Sequence, residues 1–268
     1  MRARNQKIKQ EIESGAARAA YLAHIRRLSR TGLDIIFPPQ PLWVTRGGAS
    51  AAALTLIDDP QCAGCGFPFP YDLGADALCG NCMAQKPAYD RARAAFIYDE
   101  HSRQPILSLK HGGQTHGLPV FARQLSRAGR GLFEETDCLM PVPLHPRRLR
   151  ERRFNQAALL ARALSRLKNI PLDSSSLQRV KATESQGGKT AAGRKRNMQG
   201  AFKLRANRAG HIQGQNIILI DDVMTTGATG EACARALKHG GAARVDLLCL
   251  ARVVRDIPPN TALEYTLK

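Results

Sequence analysis

The stretch ILIDDVMTTGATG at residues 218–230 sets two adjacent carboxylates, three threonines and two glycines directly after an apolar run. The run Ile217 to Ile220 predicts a central buried strand that ends at Asp221 and Asp222. Ligands of open α/β sheets sit beyond the carboxyl ends of strands, so the acids stand where a site is expected. In the turn that follows, backbone N–H groups and the hydroxyls of Thr225, Thr226 and Thr229 can surround a phosphate at a helix N-terminus, with Gly227 and Gly230 relieving the turn sterically. Carboxylates repel phosphate and suit sugar hydroxyls or metal-bound water, so a ribose phosphate is the ligand class. The plain alternative is a strand–turn–helix with surface acids. The dinucleotide glycine spacing is missing, and QGGKT at 186–190 lacks the glycine a P-loop requires where Thr183 stands.

A second cluster carries different chemistry. Cys62 and Cys65 form one Cys-x-x-Cys pair, and Cys79 and Cys82 form another after thirteen intervening residues. Each pair can aim two thiolates at one ion, and Gly64, Gly66 and Gly80 let the backbone curl around the sulfurs. Four thiolates with no open position suit structural, tetrahedral zinc. An iron–sulfur cluster and a redox dithiol are the alternatives, the latter disfavoured because neither pair opens a helix of a βαβ unit. Cys138, Cys233 and Cys249 lie alone in apolar surroundings and read as small buried hydrophobes.

These residues need a scaffold. β-rich runs around 94–98, at DCLMPVP, NIILIDDV and ARVDLLCLARVV, alternate with helical stretches at 117–130, 154–168 and 229–239. That alternation predicts an α/β fold with an open, mainly parallel sheet and helices on both faces. Residues 37–87, rich in Gly, Pro and Ala, read as a small module held by something other than a core. Residues 177–208 read as a long polar loop and residues 181–197 as a lid. At the N-terminus, Ile8, Ile12, Ala16, Ala19, Leu22 and Ile25 recur at helical spacing in a basic stretch.

Lys and Arg outnumber Asp and Glu by 40 to 22, a net charge of +18 that favours polyanions, although an arginine-rich codon bias explains part of it. No run approaches the ~20 apolar residues of a membrane-spanning helix. The start MRARNQKIKQEIE has no apolar secretory core, so the expectation is a cytoplasmic protein without stable membrane insertion.

Residues 217–229 resemble the phosphoribosyl-pyrophosphate signature of type I phosphoribosyltransferases. The wider order of motifs resembles the ComF family of competence-associated proteins: FPP at 37–39, the cysteine pairs, FIYDEHSRQPILSLKHGG, PVPLHPRRLRERRFNQA, QGG with RKRN and GAF, then the signature. One departure is that FPP is not followed by a cysteine pair, so the first ribbon of the family's double zinc ribbon is degenerate.

The helical spacing at the N-terminus gives a basic helical extension at 1–32, which goes beyond the resemblance; the resemblance implies a partly degenerate double zinc ribbon at 33–88 and a type I phosphoribosyltransferase-like domain at 89–268. It implies that Asp221 and Asp222 meet the ribose hydroxyls directly or through Mg²⁺ waters, while Thr225, Thr226, Gly227, Ala228 and Thr229 hold the 5′-phosphate. PVPLHPRR falls at the pyrophosphate loop, with Arg147, Arg148 and Lys110 as anion ligands. Residues 181–197 become the loop that closes over the substrate, hinged at Gly187 and Gly188, with Gln186, Arg194 or Asn197 reaching the ligand. His145, beside prolines, reads as a capping residue rather than an acid or base.

The implied activity is Mg²⁺-assisted transfer from phosphoribosyl pyrophosphate to an unidentified acceptor, in a protein tied to DNA uptake. The alternative is a non-catalytic accessory protein that binds single-stranded DNA or a nucleotide beside a competence helicase. A regulator that senses phosphoribosyl pyrophosphate without chemistry is a third reading.

Overall fold

The structure is a computed structural model, and the residues described are 54–109, 117–181 and 198–254. Four strands, β1 (Ala92–Ile97), β2 (Cys138–Pro141), β5 (Asn216–Met224) and β6 (Arg244–Arg252), form one parallel sheet in the order β1-β6-β5-β2. Strand β6 is buried almost end to end and β5 from Ile217 to Ile220, as a parallel sheet covered on both faces requires. Its edges are closed by single bridges, Leu56 antiparallel to Phe96 and Leu172 parallel to Leu139.

Side-chain alternation sorts the helices onto the two faces. On one face Ile217, Leu219, Val245, Leu247 and Cys249 share a buried cluster with Cys233, Ala234 and Leu237 of the helix Ala228–His239. On the other, Ile218, Ile220, Leu248 and Leu250 are buried where the helices Leu118–Ala128 and Gln156–Lys168 pack on the sheet and on each other. The sequence favours these helices locally. Pro119 opens the first, whose Phe121, Ala122 and Leu125 form its buried stripe, and Asn155 caps the second by accepting from the Ala157 N–H. The fold is thus the α/β, mainly parallel architecture expected from the sequence.

The stretch 177–208, read above as one polar loop, is a correction. Leu177–Arg179 (β3) and Phe202–Leu204 (β4) pair antiparallel, and Phe202 is buried, so a hairpin closes the base of this segment. The three solitary cysteines are buried as expected. The extension at 1–32, the FPP segment and the degenerate ribbon lie outside the described residues, as do Lys110, Gln186, Gly187, Gly188, Arg194 and Asn197.

Candidate ribose-phosphate site and four-cysteine cluster

Strand β5 does not stop at the acids. It runs two residues past Asp222, to Met224, because β6 offers ladder partners as far as Arg252 opposite Met224. Each carboxylate is fixed by a neighbouring backbone donor: the Asp222 N–H donates to Asp221 Oδ1 at 2.9 Å and the Val223 N–H to Asp222 Oδ1 at 2.7 Å.

After Met224 the chain turns through Thr225 and Thr226 to Gly227, which N-caps the twelve-residue helix Ala228–His239 with φ +77°. Only glycine takes that conformation without strain. No side chain caps this helix, so its first N–H groups open toward the turn while the Glu231 N–H closes on the Gly227 carbonyl at 2.8 Å. Gly230 lies one turn inside the helix rather than in the loop, and a Cβ there would meet Leu247 Cδ2 at 2.4 Å. Its smallness serves the close approach of helix to sheet.

Asp221, Asp222 and the whole turn from Thr225 to Thr229 line one cavity of about 520 Å³. Arg148, Arg152, Arg179, Asn155 and Gln156 line it as well, and so do Tyr98, Val142, Leu144, Val223 and Val253. The short helix Pro146–Arg152 sets the phase of the arginines. His145 caps it, Nδ1 accepting from the Arg147 N–H at 3.2 Å, in keeping with the capping role read from the sequence. Arg148 then faces the cavity, whereas Arg147 is largely exposed and pairs with Glu151 at 3.3 Å.

Arg179 is 8% exposed, with its guanidinium 5.4 Å from the centre of the Phe202 ring. Burial and the like charge of Arg148 hold it below the ordinary arginine value, while Asp221 acts in the opposite sense. Like-charged guanidinium groups that line one cavity are stabilised by an anion between them.

The four cysteine sulfurs lie within 4.8 Å of one another, with Cys65 and Cys79 Sγ 3.6 Å apart. Ligand bonds of 2.3 Å at tetrahedral angles place thiolates about 3.8 Å apart, so the donor set fits one ion. Backbone N–H groups of Cys65 and Cys79 point at Cys62 Sγ at 3.4 and 3.2 Å. Burial pushes the Cys62 thiol up, but these donors and the Gly64 N–H outweigh it and bring it down to about 7. Burial pushes Cys65 up to about 11 against the pull of Arg252. Cys79 N-caps the five-residue helix Gly80–Ala84, which carries Cys82 but belongs to no βαβ unit.

The chain is 32% identical over 206 residues to the DNA utilization protein YhgH of Escherichia coli K12, covering 75% of this chain and 87% of that protein. It belongs to the ComF/YhgH family. Competence protein F of Haemophilus influenzae is 32% identical over 198 residues, covering 72% of this chain and 85% of its own. The phosphoribosyl transferase domain family matches residues 155–268. Among solved structures, a glutamine phosphoribosylpyrophosphate amidotransferase from B. subtilis, complexed with ADP and GMP, is 15% identical with a TM-score of 0.33. The match covers 50% of this chain and 26% of that one.

In this ComF/YhgH chain, the sequence alone does not single out Arg179, Tyr98, Asn155 and Gln156 as cavity residues. The periodicity of 156–168 does announce a helix start, and Asn155 is its cap. That cap also donates to the Val142 carbonyl at 2.9 Å, tying helix to strand end. No local signal announces Arg179, which depends on a three-residue strand. Among the described residues, no helix is long and apolar enough to cross a membrane.

Proposed function

We propose that this ComF/YhgH chain is a phosphoribosyltransferase that binds phosphoribosyl pyrophosphate with Mg²⁺ and serves DNA uptake in the cytoplasm. One observation carries the reading: a single cavity gathers two carboxylates, an uncapped helix N-terminus and three arginines. Each matches one part of the ligand. The turn Thr225 to Thr229 receives the 5′-phosphate through its N–H groups and hydroxyls. Asp221 and Asp222 accept from the ribose hydroxyls. Arg148, Arg152 and Arg179 take the pyrophosphate, with Lys110 of the SLKHGG segment as a further cation.

Hard oxygen donors such as Asp221 and Asp222 suit Mg²⁺, which when bound neutralises charge on the leaving pyrophosphate. In the reaction an acceptor nitrogen forms a bond to C1′ as the bond from C1′ to the pyrophosphate oxygen breaks. The bonding pair leaves with pyrophosphate and the nitrogen's proton passes to solvent. The chain's residues align the reactants and stabilise the departing charge, without a covalent nucleophile of their own. The four cysteines hold structural zinc in a ribbon within 33–88, ahead of the catalytic domain at 89–268.

The test is pyrophosphate release from phosphoribosyl pyrophosphate and Mg²⁺ across a panel of bases and amines. Release with one acceptor supports the enzyme. Binding without release from any acceptor favours the second reading, an accessory protein that binds single-stranded DNA or a nucleotide beside a competence helicase. The +18 charge and the DNA-related names of the relatives favour that reading. It predicts single-stranded DNA affinity that falls steeply as salt rises.

A further inference from the structure

The four-cysteine module is tied at three points to elements that line the cavity. Tyr89, seven residues past Cys82, is 5% exposed, and its Oη lies 3.2 Å from where a Cβ on Gly227 would stand. The phenol therefore packs beneath the residue that caps the phosphate helix. Next to it, the Ala88 N–H donates to Glu231 Oε2 at 3.1 Å, and Glu231 belongs to the first turn of that helix. The other Glu231 oxygen is held by Arg235 at 2.5 Å, so the carboxylate is fixed between module and helix.

Arg252 makes the third link. Its guanidinium donates to the Cys65 carbonyl, lies 3.5 Å from Cys65 Sγ and stacks 5.5 Å from the centre of the Phe67 ring. The same residue ends β6, where it pairs with Met224 and its carbonyl accepts from the Tyr98 N–H at 2.7 Å. One cysteine is thus tied to the strand ends that present Tyr98, Met224 and Val253 to the cavity.

We infer that the cysteine module is a positioning device for the ribose-phosphate site: Tyr89 and Glu231 hold the turn at Gly227 in shape only while the four cysteines are clamped on their ion. The physical reason is size. The module has little core of its own, so the ion supplies much of its folding free energy. Without the clamp, residues 88 and 89 lose their anchor, and the uncapped helix start loses the floor that orients its N–H groups. The coupling is reciprocal by linkage, so a ligand in the turn tightens the cysteine site by the factor by which the ion tightens the turn. This inference rests on the ribose-phosphate reading of the site.

The experiment compares wild type, Tyr89→Ala, Tyr89→Phe and Glu231→Gln, all zinc-replete, with phosphoribosyl pyrophosphate and Mg²⁺ as the probe in calorimetry. Zinc content and amide hydrogen exchange across residues 224–231 are read in parallel. Tyr89→Ala and Glu231→Gln are expected to keep one zinc per chain, to exchange faster across the turn and to bind the probe roughly 5- to 150-fold more weakly, the usual range of site-to-site coupling. Tyr89→Phe, which keeps the ring, is expected to stay near wild type. Unchanged exchange and affinity in both Tyr89→Ala and Glu231→Gln would overturn the coupling while leaving the site reading intact. Failure of zinc-replete wild type to bind the probe would remove the site reading, and this inference with it.

Discussion

Arg148 and Arg179 face one cavity from two separate elements, a short helix and a short strand, and burial together with the charge of Arg148 weakens the hold of Arg179 on its proton. Arg179 is further fixed by the Phe202 ring. Arg179→Ala is expected to weaken phosphoribosyl pyrophosphate binding by at least about tenfold, and Arg179→Lys to recover only part, because a point charge replaces a planar fork. Arg147→Ala, which removes a largely exposed partner of Glu151, should cost less than about threefold, in line with the small worth of surface ion pairs. Calorimetric titration of the three variants checks the ranking.

Gly227 and Gly230 predict two distinguishable failures. Gly227→Ala forces φ near +77° on a residue with a Cβ and pushes that Cβ toward Tyr89, so the turn changes shape and ligand affinity falls. Gly230→Ala drives a methyl into Leu247 and should destabilise the fold by about 1–3 kcal/mol, the usual cost of overpacking. Urea denaturation of both variants, set beside their ligand affinities, separates the local effect from the global one.

Removing the ion from the cysteine cluster should unfold the module. Purified protein is expected to hold one zinc per chain, and Cys62→Ser with Cys65→Ser to hold none and to show protease cleavage within 54–88. Metal analysis and limited proteolysis check this, and a resistant, metal-free variant would contradict the structural role.

Asp173 sits where the chain returns to the sheet, its Oδ1 accepting from the N–H groups of Ser175 at 2.8 Å and Ser176 at 3.0 Å. Burial pushes its carboxyl up, but the Ser176 hydroxyl and these N–H donors outweigh it and hold it below the ordinary value. The stability this brings is complete above the unfolded carboxyl's pKa of about 4 and is lost as pH falls through the lower folded value. Asp173→Ala should therefore cost about 1–3 kcal/mol at neutral pH, and the gap from wild type should narrow in acid, as followed by urea midpoints.

Much of the fold was legible because its signals are local. Ile217 to Ile220 announces a buried strand by composition, and the periodic stretches around 117–130, 154–168 and 229–239 announce helices that form within about two residues of those bounds. What was hidden depends on partners far away in sequence. The extension of β5 to Met224 needs β6, and the pairing of Leu177–Arg179 needs Phe202–Leu204, so a polar composition there looked like loop. The site was legible in the same measure. Asp221, Asp222 and the turn announce themselves within thirteen residues, but the adjacent Arg147 and Arg148 do not say which faces inward. The phase set by the His145 cap decides that Arg148 does and Arg147 does not.

The central claim is that the carboxylate pair and the turn after it bind a ribose phosphate. Calorimetry with phosphoribosyl pyrophosphate and Mg²⁺ on wild type and an Asp221→Ala, Asp222→Ala double variant tests it most directly. The account predicts saturable binding to wild type and its loss by about a hundredfold or more in the double variant, on the order of the 3–5 kcal/mol that several lost charged hydrogen bonds represent. Equal binding by the two proteins would contradict it.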